Sequence, residues 1–378
     1  MTNYCHQIVE TYNGYLTGID VAYSSENNFD DIQEILNYND VHNVDSELLR
    51  NALIAGVAYE IAYIDNGVER FKVLDPRTVI PVYDNTLNQE LKYAIRLYQD
   101  DLVNGDEYYV EVYDAYEITT YKSTNGFASF NLIGKVPHFF KQVPITVFEL
   151  NSDKESIFQQ IITLQDAYNE LQSGEVDSWE AFADAYIIMK GVTADEEDLA
   201  QAKESRVFMI DADCSIEYLT KNINDTQIQN MLVDINNNIH KIANCPDFSQ
   251  ESFGTASGIA LRYRLLGFEN VAASIEANMR KALQKRIELF CEILNLKGGE
   301  STWRDVKIQF TRNLPVNVEE TASMVNSLRG LVSDDTLLSL LPFITDPATE
   351  VEKLRKQQEA AISMYSFSVG EDEEEIEE

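Results

Sequence analysis

Hydrophobic positions along this chain recur with two different periods, and the change between them divides the sequence. Between residues 57 and 140 apolar and polar residues alternate in short runs: VAYEIAYID (57–65), ERFKVLDP (69–76), TVIPVYD (78–84), LKYAIRLYQ (91–99), EYYVEVYDAYEITTYK (107–122) and FNLIGKVPHFF (130–140). β-Branched and aromatic residues dominate these runs. Asp-Asn-Gly, Asn-Gly-Asp and Thr-Asn-Gly fall between them, the turn chemistry of tight hairpins. Residues 1–150 are therefore expected to hold an antiparallel β region with one buried face, together with short helical stretches that include one near Ser46–Ala58.

From Glu155 the period lengthens. Ile157, Ile161, Leu164, Tyr168 and Leu171 recur at steps of four and three, and the pattern resumes at Val176, Trp179, Phe182 and Tyr186 beyond Gly174, which places an apolar seam on one helix face. Three short strand candidates follow, AYIIMKG (185–191), SRVFMID (205–211) and SIEYLTK (215–221), with the acidic helix-like stretch ADEEDLAQAKE (194–204) after the first. Residues 224–244 read as a second helix, with Ile228, Met231, Leu232, Ile235, Ile239 and Ile242 at helical spacing and Pro246 beyond its end. The segment PDFSQESFGTASG (246–258) is long for a helix connection, since such links commonly run to about 2–8 residues. A proline-free helical pattern then runs from Ile259 to Leu296, well beyond the usual helix length. WRDVKIQFTRNLP (303–315) reads as a returning strand, two or three shorter helices follow, and the chain ends in an acidic tail, Gly370–Glu378, expected to be disordered. The order of elements is that of an α+β protein.

Charge changes the picture more than composition does. Aspartate and glutamate outnumber lysine and arginine by 64 to 29, a formal net charge of −35. The tail supplies only seven of those charges, so the acidity belongs to the folded body. A surface of that sign does not hold DNA by releasing counterions from its phosphates. Between Glu155 and Asp184 stand seven acidic residues and no lysine or arginine, whereas a merely solvated helix face usually mixes signs.

Candidate chemistry is sparse. Cys5, Cys214, Cys245 and Cys291 are scattered without a C-x-x-C pair, and His6, His42, His138 and His240 lie far apart, so free thiols and no metal or other cofactor are expected. No segment reaches the roughly 18 apolar residues of a membrane span, and no secretory leader opens the sequence; the chain is expected to stay in the cytoplasm where it is made. No phosphate-binding G-x-x-x-x-G-K-[ST] loop, H-E-x-x-H or G-x-S-x-G signature occurs, and Gly254–Gly258 resembles a glycine-rich cradle only superficially. A flexible loop with Ser257 as the N-cap of the next helix is the expected reading. Two function classes other than the main one stay open on residues alone: an acidic monomeric hydrolase with a carboxylate site, and a structural adaptor that never contacts DNA.

Six phrases in order carry a family resemblance. GVAYEIAYIDNGVERFKVLDPRTVIPVYD, VPITVFELNSDKESIFQQIITLQDAYNEL, WEAFADAYIIMKG, LTKNIND, SGIALRYRLLGFE and FTRNLPVNVEETA resemble the portal proteins of long-tailed phages of Gram-positive hosts, over nearly the whole chain. Members of that family usually carry a further segment before the part matching TNYCHQIVETYNGYLTG. The resemblance implies a portal fold with a mixed α/β wing (1–152, with the returning strand 303–315), a stem helix (153–184), a small α/β clip (185–222) and a second stem helix (223–245). A tunnel loop (246–257), a long wing helix (258–297), a helical crown (316–369) and the acidic tail (370–378) complete it.

It also implies assembly as a ring, typically of twelve copies, at the capsid portal vertex of the virion, made in the bacterial host cytoplasm. The ring is the channel for DNA packaging and ejection. Expected partners are the terminase large subunit, a head-completion or tail adaptor protein, the major capsid and scaffolding proteins, and double-stranded DNA passing through non-specifically; no membrane and no catalysis are involved. On this reading Glu170, Glu175, Asp177 and Glu180 are channel-facing stem acids. Phe248, Ser249, Gln250, Ser252 and Phe253 are the DNA-handling residues of the tunnel loop, and Lys190, Lys203, Arg206 and Lys221 serve docking at the clip. Two helices with single apolar seams and little bulk beside them would bury those seams against neighbouring subunits.

Overall fold

The computed structural model describes residues 1–25, 29–99, 107–123, 128–183, 187–190, 215–218, 225–248, 258–313 and 318–339, with isolated positions between them and short pieces as far as 356. It divides into two units, Met1–Asn313 and Leu314–Glu378. Within the first, helices α1 (Tyr4–Thr17), α2 (Asp30–Tyr38) and α3 (Val41–Ala55) flank the short strand β1 (Ala22–Ser25). Eight strands follow: β2 (Val57–Asp65), β3 (Val68–Leu74), β4 (Val79–Tyr83), β5 (Leu91–Gln99), β6 (Tyr108–Tyr113), β7 (Glu117–Ser123), β8 (Asn131–Pro137) and β9 (Ile145–Glu149). Then come α4 (Ile162–Ala183), β10 (Ile187–Lys190), β11 (Ser215–Tyr218), α5 (Asp225–Ile242), the 39-residue α6 (Gly258–Leu296) and β12 (Val306–Gln309). The second unit contains α7 (Val318–Leu328) and α8 (Asp334–Ser339).

The alternating runs fold as hairpins. β3-β2-β9 form a three-stranded antiparallel sheet and β4 to β8 a five-stranded antiparallel meander. Residues 107–122, which read as one strand, are two. The Asp114 carboxylate accepts hydrogen bonds from the Tyr116 and Glu117 amides at 2.7 and 2.8 Å, turning the chain where neither Gly nor Pro marks a break. The two sheets meet in an apolar cluster of Tyr59, Leu74, Val79, Ala94, Tyr113, Val143 and Ile145.

The main core of this unit lies along α6, about 58 Å long at about 1.5 Å per residue. Leu265, Phe268, Ala272, Ile275, Met279, Leu283, Ile287 and Phe290 follow its helical period and are buried. Phe268 packs on Tyr12 and Tyr15 of α1 with ring centroids 4.5 and 4.6 Å away, and Phe290 on Phe71 of β3 at 5.6 Å. The returning strand is shorter than expected: only Val306–Gln309 pairs, antiparallel to β1. Beyond it the Asn313 amide donates to the Tyr15 carbonyl at 3.1 Å, and Arg312 reaches Glu269 and Glu276 of α6 at 2.8 and 2.7 Å.

At the centre of this core α6 carries a charge. Arg286 is fully buried, its guanidinium reaching Asp45 of α3 at 2.6 Å and Glu60 of β2 at 2.5 Å, with both carboxylates 1% exposed. The Tyr23 hydroxyl donates to Asp45 at 2.6 Å, and the Phe71 ring lies 4.5 Å below the guanidinium. Desolvation acts to lower the Arg286 pKa, but the Asp45 and Glu60 carboxylates overcome it and hold it well above the ordinary value. Burial in turn pushes the Glu60 carboxyl up, against the pull of Arg286. One ion set therefore ties four elements, β1, α3, β2 and α6.

Two boundaries correct the reading of the sequence. α3 spans Val41–Ala55 where a helix near Ser46–Ala58 was expected, because Gly56 caps it in the left-handed conformation at φ +77° and the chain enters β2. The helix expected from Glu155 begins at Ile162, after a single 3-10 turn at Gln159–Ile161. The Asn151 side chain bonds both the amide and the carbonyl of Glu155, at 3.0 and 2.8 Å, and Lys154 is left-handed at φ 57°. These bonds hold the first residues of the apolar seam in a turn.

Candidate functional site

The two helices expected to form the stem pack against each other, α4 on α5. The amino terminus fastens the base of α4: the Gln165 side chain, 8% exposed, accepts from the Tyr4 amide and donates to the Thr2 carbonyl, both at 2.8 Å. The Thr2 amide bonds Asn169 at 3.0 Å, and the Tyr4 and Tyr168 rings meet edge to face with centroids 5.1 Å apart.

α4 continues without interruption through Gly174, contains no lysine or arginine, and sorts its acids by face. Asp166, Glu170 and Asp177 are exposed, and their spacing of four and seven residues puts them on one stripe. Glu175, also assigned to the channel, is half-buried and accepts from Gln229 of α5 at 2.9 Å. The side chain of Glu180 lies outside the described residues. α5 carries a single lysine, Lys241, near its carboxyl end.

The far end of α5 is tied down tightly. Asn244 takes the left-handed conformation at φ 49° just past the helix, and the Cys245 amide folds back to the His240 carbonyl at 3.1 Å. The His240 Nδ1 lies 3.0 Å from the Cys245 carbonyl. The Tyr12 hydroxyl donates to the carbonyls of Ala243 and Asn244 at 3.2 and 3.3 Å. Burial pushes the Cys245 thiol up to about 12, which leaves it a thiol at neutral pH with little nucleophilic reactivity. The helix thus ends before Pro246, and the chain departs from an anchored point. Phe248 is 45% exposed; Ser249, Gln250, Ser252 and Phe253 lie outside the described residues, and α6 starts at Gly258.

In the segment expected to be the clip, β10 and β11 form an antiparallel pair in which Lys190 stands opposite Ser215, and Lys190 is exposed. The strand expected at 205–211, the acidic stretch 194–204, Cys214, Lys203, Arg206, Lys221 and the acidic tail lie outside the described residues. Among the described residues no group of three His, Cys, Asp or Glu side chains is placed to hold a metal ion, and no helix is long and apolar enough to cross a membrane. What sequence reasoning missed is the division of labour on α4, because Gln229, the partner of Glu175, is 54 positions away. The signal for the exposed acids, a four- and seven-residue spacing, was present.

The family model for phage portal proteins of the SPP1 Gp6-like kind matches residues 1–364. The portal protein of Bacillus phage SPP1 is 25% identical over 368 residues, covering 91% of this chain and 73% of that protein. The portal protein of Clostridium phage phiCD119 is 24% identical over 312 residues, covering 78% and 68%. The chain therefore belongs to the SPP1 Gp6-like family of phage portal proteins, and its function is that of a portal at the capsid vertex.

Proposed function

We propose that copies of this chain, twelve by the family's habit, close into a ring whose α4–α5 pairs surround the passage for double-stranded DNA. The observation that carries this reading is the exposed acidic stripe Asp166, Glu170 and Asp177 on a helix without a basic residue, in a portal protein. A duplex moving through a pore must not stick, and each phosphate met by a basic side chain adds affinity and hence a barrier to the next step. A wall of carboxylates repels the phosphates on every side and leaves the duplex free to slide.

In this arrangement the segment after Cys245 is the tunnel loop. Phe248, Ser249, Gln250, Ser252 and Phe253 meet the duplex by shape and by uncharged polar contact. The β10–β11 pair belongs to the clip, where Lys190, Lys203, Arg206 and Lys221 dock first the terminase large subunit and later the head-completion or tail adaptor. The capsid shell and scaffolding proteins surround the wing during assembly in the host cytoplasm. The chain contributes a conduit, and the ATP-driven step belongs to the terminase.

Charge reversal tests the channel assignment. Assembled rings carrying Glu170→Lys and Asp177→Lys are expected to bind a short duplex at least about tenfold more tightly at low salt, with an affinity that falls as salt rises, because each phosphate neutralised adds about 0.9 to the slope of log K against log salt. Fluorescence anisotropy across a salt series reads both quantities. Affinity unchanged at low salt would place these carboxylates away from the channel.

A further inference from the structure

The five-stranded meander carries apolar rows on its outer side, partly exposed on the inner strands and open at the two outer strands, with Thr119 and Ser123 buried among them. Strand register defines the rows: Ile80 of β4 stands opposite Ile95 of β5, which stands opposite Val112 of β6. In the next row Leu97 of β5, Val110 of β6, Tyr121 of β7 and Leu132 of β8 are directly paired. Directly paired residues point to the same side of a sheet. The other side faces the core, with Val79, Ala94 and Tyr113 buried in the cluster against β2 and β9. On the open side Ile80 is 61% and Leu132 55% exposed. Among the described residues the α-helices pack mainly on β2, β3, β9 and β12, and on the five-stranded sheet only the 3-10 turn Pro76–Thr78 packs to a comparable extent, against β5. An antiparallel sheet that faces water normally alternates apolar inward with polar outward; here the outer side of the inner strands carries Ile95, Leu97, Val110 and Val112, while Arg96, Glu111 and Lys122 stand on the other side beside Ala94 and Tyr113.

We propose that a second copy of this chain covers this face, so that the outer side of the β4–β8 sheet is part of the contact between neighbours in the ring. Charge selects the occupant. The chain carries −35, so two copies repel wherever their ordinary surfaces meet. On this face of the five strands the ionisable residues other than tyrosine are Lys135 and Glu117, and they are bonded to each other. A basic partner would be drawn to the acidic surfaces instead, and DNA has nothing to gain from isoleucine and leucine. The macromolecule that needs a neutral, apolar landing area is one as acidic as the chain itself.

Area fits as well. Five strands spaced about 4.8 Å apart and six or seven residues long, at about 3.4 Å each, span on the order of 500 Å². That suits the apolar core of an interface burying about 800 Å² per partner, and it is the size of the largest apolar patches on monomers, which are often functional. In a closed ring the contact is heterologous, with this face on one copy meeting a different surface on the next.

The inference rests on the ring reading, and the experiment separates the two. Native mass measurement of the wild-type chain first establishes whether rings form. Hydroxyl-radical footprinting then compares rings with chains dissociated by dilution, with Tyr93 and Tyr121 on the open face as reporters. Several-fold protection of both in the ring is expected. A second variant, Ile80→Lys with Leu132→Lys, alters only exposed positions on the two outer strands; it is expected to unfold at the wild-type midpoint yet to need at least about tenfold more protein to assemble, a change of one decade in the association constant. Rings whose face labels as fast as in the dissociated chain would overturn the face assignment alone. Wild-type chains that stay monomeric would overturn the ring reading and this inference together.

Discussion

Replacing Arg286 by methionine is expected to cost this protein about 3–5 kcal/mol of stability, the usual penalty for removing one partner of a buried ion set. Met fills much of the same space, so the loss is not a cavity effect. It arises because Asp45 and Glu60, each 1% exposed, lose the guanidinium that makes their burial tolerable, and the Tyr23 hydroxyl alone cannot replace it. Even the intact set holds two carboxylates against one cation, and the pKa of Glu60 is already raised. Converting the carboxylates together with the arginine, as Arg286→Met with Asp45→Asn and Glu60→Gln, is expected to return a large part of the loss, since the buried charge is then gone. Urea unfolding of the single and triple variants measures both effects. A single variant within about 1 kcal/mol of wild type would mean that water reaches the site and screens it.

The second large effect is expected at Gly56. Its amide donates to the Ala52 carbonyl at 2.7 Å and closes α3, and its carbonyl accepts from the Leu150 amide at 3.0 Å. Its φ is +77°, and a Cβ there would lie 2.0 Å from the Lys154 carbonyl oxygen. Gly56→Val must therefore adopt a left-handed conformation that costs about 1–2 kcal/mol and also push backbone apart, for a further 1–3 kcal/mol or so. Gly67 is the internal control. Its φ is +84°, but nothing lies within 4 Å of its added Cβ, so Gly67→Val is expected to show the conformational cost alone. Thermal unfolding compares the pair, and equal losses would show that the Lys154 carbonyl moves aside freely.

Local pattern reached far in this chain because most of its elements are locally encoded. β2 and β5 occupy the residues that their alternation marked, since period-two burial and hairpin turns are properties of adjacent residues. The long α6 likewise begins within a residue of its predicted start, because nothing inside it breaks the helix. What failed was decided at a distance or by side-chain bonding to the backbone. The Asp114 turn and the Asn151 bracket around Glu155 use Asp and Asn where the eye looks for Gly or Pro. Arg286 reads as one more charge on a long helix, and its partners stand 226 and 241 positions away. In the candidate site, the absence of basic residues on α4 was legible, while the turning of Glu175 towards α5 was not. The order of family phrases carried the functional reading further than any single residue, as the match over residues 1–364 bears out.

The most direct measurement of the central claim is the mass of the purified, full-length chain under native conditions at low micromolar concentration. The protein weighs 43.0 kDa as one copy. A portal ring predicts a single closed species roughly an order of magnitude heavier, with a central opening visible by negative-stain electron microscopy. A homogeneous 43.0 kDa monomer at every concentration tested would contradict it.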